Sequence, residues 1–142
     1  MKKEKTYFTI AFRRCTKMSE LWTEKYRPTR LNEIIGQTNF VLDAEHWVAN
    51  KEMPNVLLYG VAGVGKTAAA ISLANGILED NRKNNFFEIN ASDDRKLETV
   101  RNRIKEIAST KRIGDVPFKI ILLDEMDGMT KDAQNALKRI ME

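Results

Sequence analysis

The sequence predicts an α/β fold built on a parallel sheet, and three observations carry that expectation. Two largely apolar runs, Val56-Leu57-Leu58-Tyr59 and Phe118-Lys119-Ile120-Ile121-Leu122-Leu123, lack polar alternation and suit strands buried on both faces. Segments of helical period separate the strand-like runs, and such alternation is the pattern of a doubly wound sheet. The first run leads directly into Gly60-Val61-Ala62-Gly63-Val64-Gly65-Lys66-Thr67, a G-x-x-x-x-G-K-[ST] loop placed between a strand and a helix.

Each element has a reason in the residues. Residues 31–48 hold helical segments interrupted by a turn at Gly36, and Pro54 breaks the chain before the first strand. After Thr67 come Ala68, Ala69, Ala70, Ile71, Leu73 and Ala74, strong helix formers that carry a helix to about Leu78. Residues 79–85 read as a polar connector, and Phe86-Phe87-Glu88-Ile89-Asn90 as a second strand. Leu97, Val100, Ile104 and Ile107 recur at helical spacing and define an amphipathic helix. Gly114 and Pro117 punctuate the approach to the strand that ends in Asp124-Glu125, and a last helix is expected from about Lys131.

The loop chemistry points to a phosphate ligand. Glycines let successive backbone N–H groups turn inward, and the helix that follows presents the positive end of its dipole. Gly60, Gly63, Val64, Gly65 and Ala68 would supply that cradle, Lys66 would reach the β- and γ-phosphates, and Thr67 would ligate Mg²⁺. Asp124 and Glu125 fall at the carboxyl end of a strand, where open α/β sheets collect ligands. An acid there can hold Mg²⁺, and the next can orient and deprotonate a water. An Asp-Glu pair also serves strand-to-helix turns. Its coupling to the upstream loop favours the nucleotide role.

Composition narrows the classes further. The net charge of +4 resides in residues 1–17, where Lys2, Lys3, Lys5, Arg13, Arg14 and Lys17 face only Glu4. The rest of the chain is nearly neutral, so a nucleic-acid contact would need a local patch. This leader holds Tyr7-Phe8-Thr9-Ile10-Ala11-Phe12 between basic clusters. Three readings stay open for it: upstream sequence with Met18 as the natural start, a basic arm, or a targeting peptide. Residues 18–142 then form the ATP-binding part. Cys15 is the single cysteine, so no disulfide framework or cysteine zinc site forms within the chain, as in a reducing interior and not a secreted protein. His46 lacks a companion ligand and reads as a surface or packing residue. No apolar run approaches the length of a bilayer span.

Four boxes go beyond a generic nucleotide fold: Leu21-Trp22-Thr23-Glu24-Lys25-Tyr26-Arg27-Pro28; Glu33-Ile34-Ile35-Gly36-Gln37; Ile89-Asn90-Ala91-Ser92-Asp93-Asp94-Arg95; and Asp132-Ala133-Gln134-Asn135-Ala136-Leu137. From residue 20 to 142 the sequence resembles the small subunits of replication factor C, the sliding-clamp loader, most closely those of archaea. The resemblance implies an AAA+ ATPase core that binds ATP and Mg²⁺ and loads the clamp onto primer-template DNA. Its partners would be other clamp-loader subunits, the clamp and that DNA, with no membrane. Its location would be cytoplasmic in an archaeon and nuclear in a eukaryote.

By the same resemblance, Tyr26, Arg27, Pro28, Ile35 and Gly36 would border adenine and ribose. Asn90 would hold the Glu125 carboxylate from water until DNA binds, although it can equally cap the following turn. Arg101 and Lys105, four apart on the polar side of their helix, would meet DNA phosphates. A solvated helix face, with Glu98 and Glu106 nearby, is the other reading.

The sequence departs from the family pattern at few places. Gly60-Val61-Ala62-Gly63 stands for the usual Gly-Pro-Pro-Gly, Lys96 for a common glycine and Met126 for a usual alanine. The sensor residue, the Ser-Arg-Cys box with its arginine finger, the helical lid and the collar would all follow Glu142 in similar proteins. In those, the next strand enters between the strands bearing Gly60 and Asp124. The resemblance therefore implies an incomplete core: either a separate polypeptide supplies the rest, or the sequence is a gene fragment or truncated reading frame. The alternative is a truncated or split fragment that binds nucleotide or assembles, without ATPase activity of its own.

Overall fold

The computed structural model describes residues 21–91, 97–132, 134, 135 and 137. One helical turn, α1 (Trp22–Lys25), leads into an irregular stretch and a 3-10 turn at Leu31–Glu33. Gly36, at φ +81°, turns the chain into α2 (Thr38–Asn50). Lys51 ends α2 in the left-handed conformation, and its N–H returns to the Trp47 and Val48 carbonyls. The expected helical segments and the turn at Gly36 are both present.

The first expected strand is not. Residues 52–60 take no part in a sheet, and Leu57 and Tyr59 are 74% and 88% exposed. A strand exists only when its N–H and C=O groups meet those of a neighbour. Among the described residues no strand lies alongside 56–59, so its apolar composition has nothing to pair with.

The sheet consists of β1 (Phe86–Asn90) and β2 (Ile120–Asp124), parallel and in register from Phe86↔Ile120 to Asn90↔Asp124. Both fall where the sequence places them. Parallel neighbours require a crossover, which α5 (Leu97–Ser109) supplies. Side chains alternate between the two faces. Phe87, Ile89, Ile121 and Leu123 pack with Val100, Ile104, Ile107, Met129 and Leu137. Phe86 and Ile120 pack with Ala44, Leu73, Ala74, Ile77 and Leu78 of α2 and α3 (Lys66–Leu78). Two covered faces explain the unbroken apolar run of β2, although only Ile120 is fully buried and residues 121–124 are half-buried.

Two close fits hold these layers. Gly76 lies inside α3, where a Cβ would stand 2.8 Å from Val48 Cγ2, so its absent side chain lets α2 and α3 approach. The connector 79–85 is more ordered than its polarity suggests: a 3-10 turn, Glu79–Asn81, precedes α4 (Arg82–Asn85). It ends on Asn85, whose exposure is 0%. The Asn85 amide donates to the Asn81 carbonyl at 2.9 Å and the Ile113 carbonyl at 2.7 Å, and accepts the Ile113 N–H at 3.2 Å. Lys119 leaves the start of the β2 run and donates to the Ile107 and Thr110 carbonyls, capping the end of α5.

Residues 131, 132, 134, 135 and 137 are helical, in line with the last expected helix. Residues 1–20 with Cys15, the Ser92-Asp93-Asp94-Arg95 box, Lys96 and residues 138–142 lie outside the described residues. Among those described, no helix is long and apolar enough to cross a membrane.

Asn85→Leu keeps the branched shape and heavy-atom count of the side chain but strands the polar groups of Ile113. Urea unfolding should register a loss of about 1–3 kcal/mol. Asn84→Ala at the exposed neighbouring position should stay within about 0.5 kcal/mol.

Candidate functional site

The loop at residues 60–67 has the backbone that its glycines foretell. Gly60, Gly63 and Gly65 take φ values of +149°, +83° and +87°, a region closed to most side chains. A Cβ on Gly60 would come within 3.3 Å of Val64 Cγ2, so the loop is wound closely on itself. Helix α3 begins at Lys66, and its first intrahelical bond runs from Ala69 N–H to the Gly65 carbonyl at 2.8 Å. The amides of Lys66, Thr67 and Ala68 therefore have no partner inside the helix and stand available to an anion. Lys66 Nζ arches back over the loop and donates to the Gly60 and Val61 carbonyls at 3.0 and 2.9 Å.

The second half of the site arrives from β2. Thr67 Oγ1 donates to Asp124 Oδ2 at 3.0 Å, joining residues 57 apart in the chain. Asp124 Oδ1 accepts the Glu125 N–H at 2.9 Å, so both carboxylate oxygens are oriented. Glu125 is exposed and left-handed, with φ +53° and ψ +41°, an uncommon conformation outside glycine that concentrates at functional sites. Asn90 ends β1 directly opposite Asp124, and Ala91 N–H donates to the Asp124 carbonyl at 2.9 Å. Lys66, Thr67, Asp124, Glu125 and Asn90 thus gather at the carboxyl end of the parallel pair.

A hydroxyl and a carboxylate held together suit Mg²⁺, which takes one or two protein oxygens and completes its shell with phosphate and water. Among the described residues no group of three or more His, Cys, Asp or Glu could hold a metal ion unaided. The rest of a Mg²⁺ shell would come from phosphate oxygens and water.

The segment expected to border a base is placed in part. Ser72 Oγ of α3 donates to the Pro28 carbonyl at 3.1 Å, and Asn75 Nδ2 to the Thr29 carbonyl at 2.8 Å. Arg27 and Pro28 are half-buried, whereas Tyr26 and Gly36 are exposed and Ile35 is 93% exposed. Clefts in the surface lie elsewhere, beside residues 108–119 and 46–54. The first is walled by Arg112 and Lys119, whose charges already serve backbone carbonyls, and neither cleft adjoins the glycine loop. Backbone amides grip phosphate from an open loop, so an enclosed cavity is no guide to this chemistry.

Arg101 and Lys105 are exposed and lie outside the buried stripe of Val100, Ile104 and Ile107, on the polar side of α5 that their spacing predicts. That placement suits both a phosphate contact and a solvated face. His46 is exposed and pairs with Asn50 on the next turn. Sequence reasoning passed over Ser72, Asn75 and Asn85. The signal was available for Ser72, a hydroxyl at a buried helical position among Ala69, Leu73 and Gly76.

Residues 56–142 match the family model for ATPases associated with various cellular activities. The replication factor C small subunit of Methanococcus vannielii is 47% identical over 125 residues, which cover 88% of this chain and 40% of that protein. The same-named proteins of Thermofilum pendens and Methanosarcina acetivorans are 50% and 52% identical over 123 and 124 residues. Each alignment covers 87% of this chain and, respectively, 38% and 37% of the relative. The chain thus spans about two fifths of the length of the curated relatives it matches.

One titration tests the geometry around Pro28. The Glu33 carboxylate accepts the Thr29 N–H at 2.8 Å and the Arg30 N–H at 3.2 Å, and these bonds hold its carboxyl below the ordinary value of 4.5. The depressed value means that the turn's contribution is complete above about pH 4.5 and fades as pH falls through the folded-state value. An NMR titration should place the Glu33 midpoint below 4.5, with the Thr29 and Arg30 amide shifts following it. A midpoint at or above that value would mean that the carboxylate does not hold the turn.

Proposed function

The chain belongs to the family of ATPases associated with various cellular activities, and from that premise we propose that it is the ATP-binding part of a clamp-loader small subunit. The observation that carries the reading is the meeting of Thr67 and Asp124 beside the open amides of the 60–67 loop. The named relatives support the clamp-loader assignment, since they match across nearly the whole chain.

In this reading the γ-phosphate competes for Lys66, whose ammonium leaves the Gly60 and Val61 carbonyls to meet it. Gly60, Gly63, Val64, Gly65 and Ala68 line the phosphate cradle with backbone N–H groups. Tyr26, Arg27, Pro28, Ile35 and Gly36 border the base and ribose. Thr67 and Asp124 would hold Mg²⁺, which would supply positive charge against the negative charge developing on the phosphates. Glu125 takes the proton of the attacking water, with its backbone fixed by the Asp124 carboxylate. Asn90 ends the neighbouring strand, within the same cluster, and regulates the Glu125 carboxylate.

The partners proposed are other loader subunits, a sliding clamp and primer-template DNA, in the cytoplasm if the cell is archaeal and in the nucleus if it is eukaryotic. A second reading is favoured by the exposure of Leu57 and Tyr59. In it the chain binds nucleotide but turns it over only when a separate polypeptide covers that segment.

Lys66→Ala should weaken ATP binding by about tenfold or more, because a charge-assisted contact is removed. Glu125→Gln should keep the affinity and lower hydrolysis by about 10²–10⁴ in a reconstituted complex. Hydrolysis at the unmodified rate would remove Glu125 from the role of base.

Neutralising Arg101 and Lys105 together should reduce the salt slope of DNA binding by about two. An unchanged slope would assign them to an ordinary solvated face.

A further inference from the structure

Residues 27–29 belong to neither helix nor strand, so their backbone polar groups have no ladder to join. Side chains satisfy them instead. Ser72 takes the Pro28 carbonyl, Asn75 the Thr29 carbonyl, and Glu33 the Thr29 and Arg30 amides. Helix formation does not account for Ser72 and Asn75, because serine and asparagine are weaker helix formers than the Ala and Leu around them. Ser72 is only 1% exposed. A serine so placed commonly bonds back to its own helix, yet its hydroxyl reaches across to Pro28.

The helix that makes these contacts is the one whose first turn closes the 60–67 loop. At 1.5 Å per residue, Ser72 and Asn75 lie about 9 and 14 Å along α3 from Lys66. That span is of the order separating the terminal phosphate from the base in an extended nucleoside triphosphate. One rigid element therefore carries the phosphate loop at its start and the 27–30 segment further along.

We propose that Ser72 and Asn75 are positioning residues that fix the 26–30 segment at a set distance from the phosphate loop, so that affinity for the base adds to affinity for the phosphates. This rests on the ATP-binding reading above. Removing either tie should loosen the base side of the site and leave the phosphate side intact.

The full chain and its Ser72→Ala, Asn75→Ala and doubly substituted forms would be titrated with ATP and with inorganic tripolyphosphate. Alanine is the better helix former at both positions, so α3 should persist. Each single substitution should weaken ATP binding about two- to tenfold, the worth of one neutral hydrogen bond, and the pair should weaken it more. Tripolyphosphate affinity should stay within about twofold. Ser72→Thr, which keeps the hydroxyl, should recover part of the ATP affinity lost in Ser72→Ala. If ATP and tripolyphosphate weaken together, or if neither changes, the positioning role is overturned. An unsubstituted chain that fails to prefer ATP over tripolyphosphate would overturn the nucleotide reading, and the positioning role with it.

Discussion

The parallel pairing of β1 with β2 is the constraint from which the architecture follows. Two parallel strands cannot be joined by a tight turn, so residues 91–119 must travel back along the sheet before Ile120 can pair with Phe86. The return path contains α5, which covers one face with Val100, Ile104 and Ile107. The other face is then left to α2 and α3, and an apolar strand exposed there would be costly. The pairing also has a chemical consequence. In-register parallel strands end at the same level, so Asn90 and Asp124 emerge side by side where α3 begins.

Helix α3 acts as the strut between the two halves of the site. Its start is fixed by the left-handed Gly65, its last turn by the close approach of Gly76 to Val48, and its buried side by Leu73, Ala74 and Ile77. Rigidity along this helix matters because both ends of a ligand would be measured against it. The loop between α5 and β2 is held by a different device. A fully satisfied buried amide at Asn85 grips the backbone of Ile113, and the adjoining Gly114 leaves room for Asn81. A buried amide with all its bonds made costs little to bury, whereas one deprived of them is expensive, so the same residue specifies the loop path.

Much of this was legible because local sequence and tertiary demand agree. The glycine spacing of 60–67 dictates a backbone that only glycine adopts readily, and β1, β2 and α5 follow from apolar period. Val56-Leu57-Leu58-Tyr59 was misread for a physical reason. Apolar composition records a tendency to be buried and extended, while pairing is a property of the neighbour. Asn85, Ser72 and Asn75 escaped notice because each acts on backbone atoms far along the chain. Backbone acceptors leave no mark in a sequence. At the site the residue types were plain, but the joining of Thr67 to Asp124 needed the fold.

The two neighbouring acids of β2 show how one strand end can supply two different chemistries. Asp124 is half-buried, with each oxygen accepting a donor, so its carboxylate is fixed in place and suited to hold a cation at a set point. Glu125 is exposed, and its backbone is turned into the left-handed region. In the proposed hydrolysis a base must reach water and must not be spent on the metal, and the exposure of Glu125 suits that role. Were Glu125 to continue the extended path of β2, its side chain would fall on the face opposite Asp124 by simple alternation. The left-handed turn breaks that alternation at the position where the proposed hydrolysis needs a second carboxylate near the first.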